Sequence, residues 1–319
     1  MAAAAIGPET WRVAAVELGG TMTAAAARAH DGDQDRVLAA VAAALEQIRG
    51  RYGARVRAAA VAVPGTVAGL RLVPAPGLSW HDVDLSGLWR HREPGREFVV
   101  GNDATLAGVA ESRRTPGFGA GPMLYLHVDD GIGGAVVESG RAVTGATGAA
   151  GEFGHMPFGD PARRCRCGAA GCWNTSLDGL ALARFLPGNI PGGDLRHVLG
   201  SAQAGQPGAL SAVRAAGGSI GRGIAGLVNG LDPHLVVVGG LGPELLRLAG
   251  DEITAAYAGG LMSFRGLPPP PVAAARLGAD GPLLGAADEA FTRLLTDEGL
   301  QAWAAREPAA RPGGAGAAG

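Results

Sequence analysis

GEFGHMPFGDPARRCRCGAAGCWN, residues 151–174, holds every cysteine of the 319-residue chain. Cys165, Cys167 and Cys172 fall within eight residues, and His155 lies ten residues before the first of them. Thiolate and imidazole are ligands that zinc prefers, and a closed structural site takes four of them in a tetrahedron. The spacing C-x-C-x4-C with one nearby histidine supplies a Cys3His set, and Gly168 and Gly171 let the chain fold tightly round an ion. The polar, arginine-rich surroundings are a poor setting for three inert buried thiols. Four protein ligands leave no coordination position for water, so the expected zinc is structural and not hydrolytic.

Composition bounds the rest. The length fits about two domains at roughly 100–200 residues each. With 47% hydrophobic and 18% charged residues the chain can bury a substantial core, which excludes wholesale disorder. A formal net charge of −2 argues against a nucleic-acid surface, where a basic patch is the rule. No apolar run approaches the roughly 18 residues that span a bilayer, so no membrane contact is expected. The opening MAAAAIGPETWR lacks the features of a secretory signal, which places the chain in the cytoplasm, where thiols stay reduced. The chain has no lysine, and that bias carries no functional weight.

Along the chain, Val13 to Glu17 reads as a buried strand entering Gly19-Gly20-Thr21, with Thr23 to Ala29 as its hairpin partner. Val37 to Ile48 has helical spacing, Val56 to Val63 reads as a strand closed by Pro64-Gly65, and Phe98 to Val100 as a short one. Asn102-Asp103 then opens a helix over Ala104 to Arg113, and Thr115 to Pro122 is a break. The order starts over with a strand from Met123 to Val128, the turn DDGIGG, and a strand from Ala135 to Val137. A helix from Ser219 to Leu231, a strand from Leu235 to Val238 and the turn Gly239-Gly240 follow. Strand, glycine turn, strand, helix, strand occurs once in each half. This predicts two α/β domains facing a cleft, over residues 1–116 and 117–280. A C-terminal helix near 281–303 completes the first domain, Pro268 to Pro271 form a stiff connector, and 304–319 are a frayed tail.

The blocks ELGGT, VPG, NDA, DGIGG, GEFGH, CRCGAAGC, LDPHLVVVGG and LLGAA occur in the order found in the ROK family of bacterial repressors, uncharacterised reading frames and sugar kinases. The chain resembles that family over nearly its whole length. The resemblance implies the actin-like ATPase fold, a duplicated ribonuclease H-like unit, with ATP and a sugar meeting in the cleft. It implies ATP-dependent phosphorylation of a hydroxyl on a sugar, amino sugar or sugar-like cyclitol, with Mg²⁺, by a dimer or tetramer. Asp103 aligns with the family's catalytic aspartate and becomes the expected general base, although Asn or Asp there also suits a helix N-cap. Asn102, Glu152 and His155 match residues that hydrogen-bond sugar hydroxyls, and Asn174 stands where the family has a sugar-binding glutamate. Gly19, Gly20 and Thr21 are expected to form one phosphate cradle, and Gly131, Gly133 and Gly134 the second, because glycine lets backbone amides approach phosphate. Gly239 and Gly240 match the turn against which adenosine lies. His30, His81, His91, His127, His197 and His234 show no ligand spacing and are read as ordinary core or surface histidines.

Four features depart from the family's kinases. Glu17-Leu18-Gly19-Gly20-Thr21-Met22 stands against D-x-G-G-T-K, and Asp129-Asp130-Gly131-Ile132-Gly133-Gly134 against G-T-G-x-G-G. A carboxylate beside phosphate is unfavourable unless Mg²⁺ or an arginine offsets it. Asn174 replaces a glutamate, exchanging an acceptor for a group that also donates. About sixteen residues precede Glu17, too few for the winged helix-turn-helix of the family's repressors. The alternative expectation is therefore a catalytically inactive sugar-binding sensor, derived from a repressor that has lost its DNA-binding domain.

Overall fold

The computed structural model describes residues 1–91, 96–115, 120–129, 131–186, 194–263 and 268–304. Asp130, the expected boundary at 116/117 and the expected tail beyond residue 304 lie outside the described residues. In chain order the elements are β1 (Ala2–Ile6), β2 (Thr10–Val16), β3 (Met22–Ala29), α1 (Gln34–Tyr52), β4 (Ala58–Val63), β5 (Val67–Ala68), β6 (Arg71–Ala75), β7 (Trp80–Asp84), β8 (Glu97–Asn102) and α2 (Asp103–Arg114). Then come β9 (Met123–Val128), β10 (Ile132–Glu138), β11 (Arg141–Ala142), α3 (Gly179–Ala183), α4 (Leu195–Gln203), α5 (Ala209–Leu231), β12 (Leu235–Gly240), α6 (Gly242–Gly260), β13 (Val272–Ala274), α7 (Gly281–Leu294) and α8 (Asp297–Ala304).

Two five-stranded sheets repeat one plan. The first runs β3-β2-β1-β4-β8 and the second β11-β10-β9-β12-β13. In each, three strands form an antiparallel meander and two more add in parallel to its first strand. This duplicated unit is the actin-like ATPase fold. A small sheet, β5-β6-β7, shares the core of the first sheet through Leu72, Ala75, Trp80 and Val83.

The strand that organises the first sheet is β1, over the alanines of the opening segment. Every residue of β1 and of its parallel neighbour β4 is buried. One face, through Ala2, Ala4, Ala59 and Val61, meets Val41, Leu45 and Ile48 of α1. The other, through Ala3, Ala5, Ala58 and Ala60, meets Leu283, Ala286, Ala287 and Ala290 of α7. A strand covered on both faces shows a continuous apolar run and no alternation. Alanine is also a weak strand former, so nothing in Ala2–Ile6 announces a strand.

This changes where the glycine turn falls. β2 is the antiparallel return strand of a hairpin that begins at β1, with Ile6 opposite Trp11 and Ala2 opposite Ala15. Its far end, Val16, is therefore level with the start of β4, one strand away across β1, whereas Asn102 lies beside the end of β4, opposite Val63. Gly19, Gly20 and Thr21 sit about 17 Å from the row that leads into Asp103, at ~3.4 Å per residue over five residues. A β-carbon on Gly20 would come 2.8 Å from the guanidinium of Arg114, the last residue of α2, and Asp103 is the first. The expected first phosphate cradle is thus at the wrong end of the sheet. The hairpin turn at the Asp103 end is Gly7-Pro8-Glu9, which occupies in the first sheet the place of the β9–β10 turn in the second.

Of the expected helices, Ser219–Leu231 begins ten residues earlier, at Ala209, and packs along α6. Gly217 and Gly218 lower its helical signal, and burial of its apolar face overrides them. α1 starts where Asp33 accepts the Arg36 amide at 2.9 Å.

Candidate active site

Asn102 ends β8 and caps α2. Its Oδ1 accepts the Thr105 amide at 2.9 Å and the Thr105 hydroxyl at 3.1 Å, and its Nδ2 donates to the Gly65 carbonyl at 3.0 Å. The side chain is committed to holding the helix start to the Pro64–Gly65 turn. Asp103 is thereby left as the acidic group at the helix entrance, with Oδ1 accepting the Ala104 amide at 2.8 Å. Burial pushes its carboxyl above the usual carboxylate range; nearby His127 and the Ala104 amide pull it back, and Asp129 pushes it up further.

His127 comes from β9, opposite Gly133 of β10, and Gly133 faces Ala104 of α2: a β-carbon there would lie 3.3 Å from the Ala104 methyl. The Tyr125 hydroxyl stands 3.4 Å from His127 Nδ1. Burial, then the charges of Glu111 and Asp103, push that hydroxyl well above its ordinary value. His127, read from the sequence as an ordinary histidine, therefore belongs to the wall of the site.

The β9–β10 turn reaches the same place. The Asp129 amide donates to the Gly131 carbonyl at 2.9 Å, which closes the turn. Gly133 and Gly134 are not in it; they belong to β10, paired with His127 and Leu126. Gly134 lies beneath the 151–153 segment, where a β-carbon would meet the Tyr125 carbonyl at 2.1 Å and the Phe153 ring at 3.0 Å. Gly239 and Gly240 end β12 at the same edge, and Gly240 has a φ of +64°. A β-carbon there would lie 2.3 Å from the Val128 carbonyl.

On the other side of Asn102, the loop after β4 meets the segment before the cysteines. The Thr66 hydroxyl donates to Glu152 Oε1 at 3.1 Å, and Glu152 Oε2 stands 4.0 Å from His155 Nε2. Thr66, for which the sequence gives no local signal, thus ties the loop after β4 to Glu152 of the expected polyol residues. Asn174 Oδ1 accepts the Ile132 amide at 2.7 Å, tying the cysteine loop to the start of β10.

His155, Cys165, Cys167 and Cys172 bring one ligand atom each to within 4.8 Å of one another. His155 Nδ1 lies 3.7 Å from Cys165 Sγ, and Cys167 Sγ lies 3.6 Å from Cys172 Sγ. A tetrahedron with metal–sulfur bonds of ~2.3 Å has edges of about 3.7 Å, so this donor set fits a metal ion. Gly168 and Gly171 adopt φ of +94° and +76°, as the tight loop requires. Burial, with the neighbouring thiols, holds the Cys172 thiol up at about 12, whereas the Ala169 amide favours the thiolate of Cys167. The fully buried Trp173 anchors the loop to α5, donating to Ser219 Oγ at 3.1 Å.

The sequence profile of the ROK family matches residues 2–292. The chain belongs to the ROK family. A glucokinase of Streptomyces coelicolor is 28% identical over 305 residues, covering 86% of this chain and 95% of that one. A ROK hexokinase from Thermus thermophilus superposes with a TM-score of 0.74 at 30% identity, over 92% of this chain and 98% of the other. A ROK glucokinase from Streptomyces griseus, solved with glucose and AMPPNP, superposes with a TM-score of 0.75 at 26% identity, over 92% and 99%.

In this ROK protein Asp103, Gly131, Gly133, Gly239 and Gly240 share one edge of the fold with His127 and Asp129, and Glu152, with His155 4.0 Å away, meets Thr66 at the loop tied to Asn102. Gly19, Gly20 and Thr21 stand apart. The signal that could have found Thr66 and Gly7–Glu9 is positional: both follow the carboxyl ends of parallel strands, where open α/β sheets bind ligands. Among the described residues no helix is long and apolar enough to cross a membrane.

Proposed function

We propose that the protein transfers the terminal phosphate of ATP, taken with Mg²⁺ as the nucleotide substrate, to a hydroxyl of a sugar, amino sugar or sugar-like cyclitol. The observation that carries this reading is the position of Asp103. Its carboxyl stands at the helix entrance between the β9–β10 turn and the loop of Gly65 and Thr66. Phosphoryl transfer asks little covalent help of a protein beyond positioning, charge stabilisation and a base for the alcohol proton. Asp103 takes that proton at a carboxylate oxygen, and its raised pKa suits it to holding one. Glu152 and His155, with Thr66 across the domain junction, bind and orient the hydroxyls. Gly131 and Gly133 edge the phosphate side, and Gly239 and Gly240 the nucleoside side. That the glucokinase and hexokinase above are named kinases supports the reaction class.

Zinc is the ion we assign to His155, Cys165, Cys167 and Cys172. It supplies structure: with four protein ligands it fixes the loop that presents His155 and Glu152, and it leaves no position for a reacting water.

The second reading, sugar binding without turnover, is not favoured by the relatives above, which are named kinases; one feature of the chain speaks for it. The turn at the cleft end of the first sheet, Gly7-Pro8-Glu9, has a proline without an N–H and an exposed carboxylate, a poor phosphate cradle. An ADP-release assay over a panel of hexoses, amino sugars and cyclitols separates the two. Turnover of at least one compound is expected. Sugar binding by calorimetry with no turnover of any panel member would establish the second reading instead.

A further inference from the structure

Asn174 stands where three segments meet. Its backbone is fixed by the cysteine loop. Cys172, two residues earlier and 1% exposed, opens the short helical turn Trp173–Ser176, and Thr175 Oγ1 donates to the Cys172 carbonyl at 2.7 Å. The Trp173 ring presses on α5, where a β-carbon on Gly223 would come 2.0 Å from it. From this mount the Asn174 side chain passes Gly154, whose added β-carbon would lie 2.0 Å from Oδ1, so the path needs a glycine there. It ends at the β9–β10 turn. Oδ1 accepts the Ile132 amide at 2.7 Å, and a β-carbon on Gly131 would lie 3.5 Å from the side-chain amide. The turn is gripped at its other end too: Arg196 of α4 places Nη2 at 2.8 and 2.9 Å from the two oxygens of Asp129. The partners of that ion pair are 59% and 28% exposed, and a pair so exposed contributes little. Ile132 is 3% exposed, and a buried N–H that loses its acceptor carries the full desolvation cost. Of the two grips, Asn174 is the stronger.

We infer that Asn174 is a positioning residue for the β9–β10 turn, mounting the backbone of the phosphate side on the cysteine loop. This rests on the kinase reading and deepens it. Where the family's kinases carry a sugar-binding glutamate, this chain has a residue whose side-chain oxygen serves the nucleotide side. A backbone cradle held in place before the ligand arrives loses less freedom on binding, and its dipoles need no reorganisation as charge builds. The Asn174 oxygen supplies that hold at the residue where the turn enters β10.

The test compares the two ligands. Calorimetry gives the affinities for ADP and for the best-binding sugar of the panel, and NMR gives hydrogen exchange at the Ile132 amide. Asn174→Leu, close in shape but without the acceptor, is expected to weaken ADP binding by about 10-fold, the size of one buried hydrogen bond, and sugar binding by less. Its Ile132 amide exchanges faster than in wild type, whereas Asn174→Asp, which keeps an acceptor oxygen, retains the protection. Asn174→Ala, with no added bulk, stands in if the leucine variant does not fold. An ADP loss no larger than the sugar loss overturns the inference, because a sugar ligand or a merely structural residue gives that pattern. So does an Ile132 amide that exchanges alike in Asn174→Leu and Asn174→Asp. In both cases wild-type ADP binding leaves the kinase reading standing. A wild-type protein that binds sugar but not ADP removes both.

Discussion

The turn at Glu17–Thr21 and the turn that Asp129 and Gly131 close look alike in the sequence: each leaves an apolar strand, carries an acid and contains glycine. In the folded chain they lie at opposite ends of α2, one behind Arg114 and the other before Asp103. The difference comes from strand direction. β9 runs parallel to β12, so its carboxyl end points to the edge at which open α/β sheets in general bind ligands. β2 runs antiparallel to β1, so its carboxyl end points away. The first domain's counterpart of the Asp129 turn is Gly7-Pro8-Glu9, and the counterpart of Glu17–Thr21 is the plain Ser139-Gly140 turn between β10 and β11. Likeness of sequence does not make two turns equivalent; an equal place in a duplicated sheet does.

Three substitutions can break or sharpen that contrast. The largest expected effect is at the Asp103 end. Asp103→Asn is expected to lower kcat by about 10³-fold, the range for a general base, while calorimetric sugar affinity stays close to wild type. Lost binding with surviving turnover would refute the assignment. A smaller effect is expected at His127. Asp103 acts as a base only when ionised, so kcat/KM falls as pH drops through its raised pKa. His127 lowers that pKa, and His127→Gln should move the acid limb of the pH profile to higher pH. A limb that stays put or moves down would separate His127 from the site. The smallest effect is predicted for Thr21→Ala at the other end of α2. KM for ATP and kcat should match wild type, and a severalfold rise in KM would return the Glu17 turn to the nucleotide site.

How much was legible varies with the range of the signal. The cluster that could hold a metal was legible whole, since Cys165, Cys167, Cys172 and His155 are close in sequence and their chemistry is narrow. Asp103 and the β9–β10 turn were legible from the family blocks. Asn102 and Asn174 were read for residue type, but that the Thr105 amide and the Ile132 amide bond their side-chain oxygens is invisible without the fold. Thr66, His127 and Arg196 gave no local signal, because each gains its role from a partner far along the chain. β1 was missed because alanines buried on both faces show neither alternation nor β-branched side chains.

The linear chain by itself determined the family, the α/β duplication, the Cys3His cluster of residues 155–172 and the acid at the start of α2. These depend on residue type and short spacing, and chemistry of that kind survives without coordinates. Only the tertiary structure decided which glycine turn faces Asp103, what holds each asparagine, and that an arginine from α4 answers Asp129. Those outcomes depend on strand direction and order, which are set when distant segments bury their faces against one another, and no local pattern encodes which end of a strand points into the cleft.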